Sequence, residues 1–405
     1  MINPQTLKGF RDFLPSEARK RQFAINTLKQ VFESYGFEPL ETPALEYEEI
    51  LLGKYGDEGD KLMYRFEDNG KRKVALRYDQ TVPLARVVAQ YQNEIPMPFK
   101  RYQIQNVWRA ENTQKGRFRE FLQCDIDIVG QKSQAADAEI IVIAARSLEK
   151  LGFKNYKIRV GDRKLFEGIP PAAITIIDKL KKIGEEKVIA ELKEKNLDEK
   201  ILDKIKNSKP SENIEFILAI AQEMGIAEQV YFDPTLARGL NYYTGMILEV
   251  EVDGFDAGSV GGGGRYDNLI GLFADKQIPA VGFAFGFDRL MNAMEELSLF
   301  PKDLQTTKVL VTVFSPDIME ESLNCSLLIR NAGVATELYL DENLPAGRQG
   351  AKMEKQLKYA DQKGIPFVVI IGPDEVSKNM ITLRNMKTRE QITNFKEVIL
   401  KEIKI

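Results

Sequence analysis

The hydrophobic period of this chain changes twice, and each change limits its architecture. Met246, Leu248, Val250 and Val252 alternate with Ile247, Glu249 and Glu251, the period of two expected of a half-buried strand. Short apolar runs interleaved with glycine and charge fill residues 36–165. They include VALRY (74–78), RYQIQNVWRA (101–110) and FLQCDIDIVG (121–130), with a helix predicted near Ala135–Leu151. Residues 174–229 switch to a lysine- and glutamate-rich helical spacing, IIDKLKKIGEEKVIAELKEKNLDEKILDKIKNSKP and then ENIEFILAIAQEMG. Strands are predicted again from Val230 to about Ala284. A strand-rich domain interrupted by helices satisfies this order. An amphipathic helix opens the chain at about 16–35, with Phe23, Leu28, Val31 and Phe32 on its apolar positions after a Pro15–Ser16 start.

The segment near Phe300–Thr307 reads as a linker. Beyond it VLVTVF, a helix from about Met319, ELYL, a helix from about Lys352 and PFVVIIG follow in βαβαβ order. That order predicts a small α/β domain with some parallel pairing. A chain of 405 residues is long enough for such a division into two or three domains.

Composition removes whole classes of chemistry. The chain has no histidine, so a Ser-His-Asp triad, a Cys-His pair and every histidine-containing metal site are excluded. Cys124 and Cys325 lie far apart, and no metal site is predicted from histidine or cysteine. Acid–base work would fall to carboxylates, lysine, tyrosine or the substrate. Reactions that run on positioning and positive charge stay open, phosphoryl and nucleotidyl transfer foremost. The net charge of −3 requires any nucleic-acid partner to be met by local basic patches. No apolar run reaches the roughly 18 residues of a membrane span, and MINPQTLKGFRDFLP lacks a signal-peptide core, so a reducing cytoplasm is the expected location.

The densest chemical cluster is KRYQIQNVWRAENTQKGRFREFLQCDIDIVG, residues 100–130, read as strand, polar loop, strand. Lys100, Arg101, Arg109, Lys115, Arg117 and Arg119 stand against Glu111 and Glu120, with Phe118 between two arginines and Phe121 following. Guanidinium binds phosphate bidentately and an aromatic ring stacks on a base, so the group suits a nucleotide. A solvated hairpin with ordinary ion pairs would carry the same residues. In ARGLNYYTG, residues 237–245, Gly239 and Gly245 bracket an aromatic pair just before the strand. On its own that stretch fits a hairpin with structural tyrosines equally well.

Several separated stretches resemble one family. RAE followed by GRFREFLQCD is similar to motif 2 of class II aminoacyl-tRNA synthetases. GFEPLETPALE, residues 36–46 with Pro43, resembles their motif 1, and VGFAFGFDRL, residues 281–290 with Arg289, their motif 3. ARGLNYYTG, SVGGGGRYDNL (259–269), LKGFRDFLP and LRYDQTVPLAR (76–86) resemble signatures of the histidyl-tRNA synthetases within that class. The resemblance spans essentially the whole chain. It implies an α+β fold, an antiparallel sheet flanked by helices with a helical insertion and a C-terminal α/β anticodon-binding domain. The implied division is a catalytic domain over 1–165 and 230–300, the insertion at 166–229, a linker at 301–306 and the anticodon-binding domain at 307–405.

The same resemblance implies the site. Arg238, Arg109 and Arg289 would be catalytic, with Arg238 at the α-phosphate and the substrate carboxylate. Asp79, Thr81 and Gln123 would hold the α-amino group of histidine. Asp127 and Tyr243 would meet its imidazole, and Tyr242 would line the pocket. Arg109, Glu111, Arg117, Phe121, Arg238 and Arg289 would bind ATP, and the glycines at 261–264 would let backbone approach ligand or a neighbouring strand. Gln114, Lys115 and Arg119 would face the tRNA acceptor stem. The implied activity is a two-step histidine–tRNA ligation using ATP and Mg²⁺, with L-histidine and tRNA-His as partners, in a homodimer built around motif 1. LPAGRQG, residues 344–350, departs from the pattern as an expected loop insertion. Asp79 and Asp127 stand where some relatives carry glutamate. Two other readings compete. One is a catalytically inert, histidine-sensing regulatory subunit of ATP phosphoribosyltransferase. The other is a general nucleotide- or RNA-binding module, which accounts for the basic loop but not for the ordered signatures.

Overall fold

The structure, a computed structural model, describes residues 2–53, 62–113, 117–237, 242–340 and 353–403. Arg238, Gln114, Lys115 and the LPAGRQG stretch lie outside the described residues. The chain forms two compact units, Met1–Phe300 and Pro301–Ile405.

Among the described residues the larger unit is organised on an eight-stranded sheet. From edge to edge its strands are Glu38–Pro39, Phe99–Trp108, Glu120–Val129, Ala280–Gly286, Gly261–Arg265, Met246–Val252, Tyr156–Asp162 and Val230–Phe232. The centre is antiparallel, as the resemblance implies. Both edge pairs are parallel, because each edge strand is joined to its neighbour by a long excursion and not by a hairpin.

Period two decides what each face of this sheet carries. On Glu120–Val129, Cys124, Ile126 and Ile128 face the apolar core with Val281, Phe283 and Phe285 of the next strand and Leu248 and Val250 beyond it. Four helices supply the other half of that core: Pro15–Ser34 through Leu28 and Phe32, Gln134–Lys150 through Ile140 and Ile143, Glu212–Glu223 through Ile214 and Ile217, and Phe287–Glu296 through Leu290 and Met294. The opposite face carries Gln123, Asp125 and Asp127, set against Gly286, Ala284 and Gly282. Small residues there leave room above the carboxylates.

Gly261–Gly264 form a strand with no side chains and sit fully inside the sheet. A β-carbon at Gly263 would lie 2.1 Å from the Gly282 carbonyl oxygen, and one at Gly264 2.6 Å from that of Met246. The run is therefore a packing requirement as well as an open floor.

The helices after Asp162 have a core of their own, in which Ile174, Ile177, Val188, Leu192, Leu202 and Ile205 are buried. The later helix Glu212–Glu223 belongs to the sheet core instead. At the junction Ser211 Oγ donates to Asp162 Oδ2 at 2.7 Å. The smaller unit is a five-stranded sheet among the described residues, ordered Thr336–Leu338, Val309–Val311, Phe367–Ile370, Met380–Asn385, Gln391–Phe395. Its first two pairings are parallel, as the βαβαβ pattern predicts, and a hairpin then adds two antiparallel strands. No helix of the described residues is long and apolar enough to cross a membrane.

The glycine strand yields a direct test. Gly263→Ala is expected to cost about 3 kcal/mol or more by overpacking, because the obstructing atom is backbone and cannot rotate away. Thermal unfolding or loss of soluble protein reads this; a midpoint within about 1 °C of the parent would show that the strands part freely.

Candidate active site

A cavity of about 290 Å³ opens over the polar face of the sheet. Arg109, Glu111, Arg117, Phe121 and Arg289 line it, and Gly261 and Gly262 expose backbone at its floor. The end of strand Phe99–Trp108 delivers Arg109, whose Nε donates to the Tyr78 carbonyl at 2.9 Å. That bond holds the guanidinium 5.1 Å from the centre of the Phe121 ring. Glu111 stands 3.9 Å from Arg109 and 3.7 Å from Arg117, so one carboxylate is shared between two cations. Arg289 comes from the first turn of helix Phe287–Glu296 and donates to the Ser259 carbonyl at 3.1 Å. Burial lowers its pKa, and nearby Arg117 lowers it further. Cations that repel one another in a partly buried hollow favour an anion with several oxygens.

Gln123 also lines this cavity, and the strand face continues beneath it to Asp125 and Asp127. Asp127 is paired with the fully buried Arg101 at 2.7 Å. Its other oxygen accepts a short hydrogen bond from Tyr266. Tyr266 meets Tyr242 edge-on at 5.9 Å, and Tyr242 lies 4.6 Å from Tyr243. Asp79 precedes helix Thr81–Gln90, and its Oδ1 accepts from the Val82 N–H at 3.4 Å. The structure thus joins Asp127 to Tyr242 and Tyr243 through Tyr266, and groups Arg109, Glu111, Arg117, Phe121, Gln123 and Arg289 on one cavity. Thr81 opens the helix that follows Asp79. Arg119 turns inward: its Nε donates to the Glu111 carbonyl at 3.1 Å, which shapes the loop.

Asp125, Tyr266 and Arg101 complete this arrangement without having been assigned a part in it from the sequence. Asp125 was legible in principle, since a strand that presents Gln123 and Asp127 on one face must present residue 125 between them. Tyr266 follows the glycine run by two positions, after Arg265. Arg101, counted in the basic cluster that suits a nucleotide, is instead fully buried against Asp127, 26 positions away, a pair that exists only through strand register. Burial pushes the Asp125 carboxyl well above the usual range; Arg101 opposes this, and Asp127 and Asp79 add to it. Burial raises Asp127 too, against the pull of Arg101 and the Tyr266 hydrogen bond.

The family model described as histidyl-tRNA synthetase matches residues 9–210 and 168–290, and that of the anticodon binding domain matches 308–404. The chain belongs to the histidyl-tRNA synthetase family. The histidine–tRNA ligase of Christiangramia forsetii is 39% identical over 96% of both chains. That of Cytophaga hutchinsonii is 38% identical over 100% of both. The crystal structure of histidyl-tRNA synthetase from Nostoc sp. PCC 7120 superposes with a TM-score of 0.86 at 31% identity, covering 100% of this chain and 99% of that one. As in a class II synthetase, the α/β sheet domain is followed by a separate anticodon-binding unit.

The buried carboxylates of this histidyl-tRNA synthetase fold have a measurable cost in the ligand-free protein. A carboxyl whose folded pKa is raised contributes stability below its unfolded pKa, and that contribution is lost as pH rises through the folded value. Asp125→Asn should therefore melt close to the parent near pH 4 and above it at pH 8. A parent that is the more stable of the two at pH 8 would mean that Asp125 is held charged by its neighbours.

Proposed function

We propose that this chain performs histidine–tRNA ligation at the cavity above the polar sheet face. It activates histidine with ATP to histidyl-adenylate and pyrophosphate, then transfers the histidyl group to the 3′ end of tRNA-His. The observation that carries the site reading is the junction at Gln123. On one side lies a hollow ringed by Arg109, Arg117 and Arg289; on the other lie Asp127 and its tyrosines. A triphosphate suits the first and a small cationic amino acid the second. The inert, histidine-sensing alternative is disfavoured by the anticodon-binding domain at 308–404.

In the first step a carboxylate oxygen of histidine attacks the α-phosphorus, and the bond to the β-phosphate oxygen breaks. Arg109 and Arg289 hold phosphate oxygens from fixed positions, so charge developing on phosphorus is met without reorganisation. Arg238 joins them at the α-phosphate and the substrate carboxylate. Phe121 stacks on adenine and Glu111 accepts from its amino group. Asp79, Thr81 and Gln123 receive the ammonium; Asp127 and Tyr243 receive the two imidazole nitrogens, and Tyr242 lines the pocket. A site built on both ring nitrogens rejects analogues that lack them. The charged residues at the cavity are Arg109, Arg117 and Arg289 against Glu111 and Asp288, and both carboxylates are already paired with arginines, so Mg²⁺ would fit as the companion of the triphosphate, where it would neutralise phosphate charge. In the second step the terminal adenosine hydroxyl attacks the activated carbonyl, the bond between that carbonyl and the phosphate oxygen breaks and AMP leaves, with a phosphate oxygen of the adenylate as proton acceptor. Gln114, Lys115 and Arg119 belong to the loop that faces the acceptor stem. The catalytic domain spans 1–165 and 230–300 around the 166–229 insertion, and 301–306 links it to the anticodon-binding domain at 307–405. A homodimer forms along motif 1, where Glu38–Pro39 leaves a sheet edge to be covered.

Histidine-dependent ATP–pyrophosphate exchange on the purified chain tests the activity. Arg238→Ala and Arg289→Ala should each lower it by about 10²- to 10³-fold with the fold retained; activity within twofold of the parent would remove that arginine from the mechanism. Asp127→Asn and Tyr243→Phe should raise the KM for histidine more than that for ATP, and an unchanged histidine KM in both would move the pocket elsewhere. Light scattering should report twice the 46.0 kDa chain mass; a monomer at micromolar concentration would refute the dimer.

A further inference from the structure

Arg11 has no part in the reading above, yet it joins two pieces of the nucleotide cavity. Its guanidinium lies 3.2 Å from the centre of the Phe118 ring, and its Nη2 lies 3.0 Å from Asp288 Oδ1. Phe118 sits between Arg117 and Arg119 in the loop after strand Phe99–Trp108, and Asp288 immediately precedes Arg289. Phe118 and Asp288 both line the cavity. The neighbouring backbone reinforces the contact. The Gly9 carbonyl accepts from the Arg119 N–H at 2.9 Å, and a β-carbon at Gly9 would lie 2.8 Å from the Arg119 side chain. Gly9 also has φ +91°, so the close approach and the turn both require glycine.

We propose that Arg11 is a positioning residue for ATP: it latches the loop bearing Arg117 to the helix start bearing Arg289, so that cations from two distant segments face one triphosphate. The proposal rests on the ligase reading of this cavity. The planar guanidinium is suited to the task, because one group stacks on a ring and pairs with a carboxylate at once. Arg21 reaches the same Asp288 oxygen at 2.6 Å and lies 3.9 Å from the Phe13 ring. Removing Arg11 therefore leaves Asp288 paired and the helix start anchored. What is lost is the hold on Phe118. The consequence should fall on nucleotide positioning and not on the fold or on histidine.

Arg11→Ala is expected to raise the KM for ATP in pyrophosphate exchange by about tenfold, with the KM for histidine within about twofold, since small misplacements of binding groups have large kinetic effects. Phe118→Ala should do the same, and the double variant should be no worse than the poorer single one, because both remove one contact. Arg11→Lys should recover little, as an ammonium cannot stack as a plane does. Lys20→Ala, which removes an ion pair with Glu295 on the outer side of the same region, should leave the KM for ATP unchanged. The proposal is overturned if Arg11→Ala keeps the parent's ATP KM, if the two single effects multiply in the double variant, or if Lys20→Ala raises the ATP KM equally. Should Arg11→Ala not fold, Phe118→Ala carries the same decision. If the parent shows no histidine-dependent exchange, the ligase reading fails. Calorimetric titration of parent and variants with a non-hydrolysable ATP analogue then still decides the latch: a tenfold weaker affinity supports it and equal affinity rejects it.

Discussion

The site depends on a strand that puts carboxylates on one face and packs aliphatic side chains on the other. Residues 123, 125 and 127 cannot be raised onto the polar face unless 124, 126 and 128 are driven into the core. A register slip of one residue would bury the acids under the helices and expose the isoleucines. The apolar core therefore selects the chemistry of the opposite face. Burying charge there is costly unless it is paired, and Arg101, fully enclosed opposite Asp127, meets part of that need. The remainder falls on Asp125, which is buried and stands among two carboxylates, Asp127 and Asp79, and two cations, Arg101 and Arg109. Burial is the main reason its carboxyl is pushed up, so the same packing that raises the acids on one face makes their charge costly there.

The cationic hollow follows a different logic. Its arginines come from a strand end, a loop and a helix start, and backbone carbonyls fix two of them, Tyr78 for Arg109 and Ser259 for Arg289. Neutral acceptors orient a guanidinium without cancelling its charge. The opposite arrangement holds at Arg265, which is tied to Asp137 at 2.6 Å and so serves structure. The partner, more than the position, separates an arginine available to phosphate from one that is already satisfied.

Much of this could be read in the sequence, and what could not has a physical cause. Met246–Val252 and the two long strands around the basic loop show alternation because one face is buried and the other polar. Gly261–Gly264 has no side chains to alternate, and Gln391–Phe395 is mostly exposed and held chiefly by strand pairing, with one hydroxyl contact from Thr393 to Thr382. Helix Thr81–Gln90 carries Pro83 in its first turn, where proline is tolerated but mimics a break. In the site, the arginine density of residues 100–130 and the tyrosine pair were visible as composition. Tyr266 bonding Asp127 and Arg265 bonding Asp137 span 139 and 128 positions, and only the sheet brings them together.

The hydrogen bond from Ser211 to Asp162 closes a path of 49 positions with its two ends side by side. The helices between them pack on a hydrophobic centre that also takes in Ala237, and the path returns to the sheet where it left. The entropy of such a closure grows only with the logarithm of the path length. The two ends of the path are therefore held together at a cost that depends little on its length, and the strands on either side keep their register. Ala237, buried in the same centre, ties these helices to the stretch just before residue 238, so a change in their core is felt there while a change on their exposed faces is not.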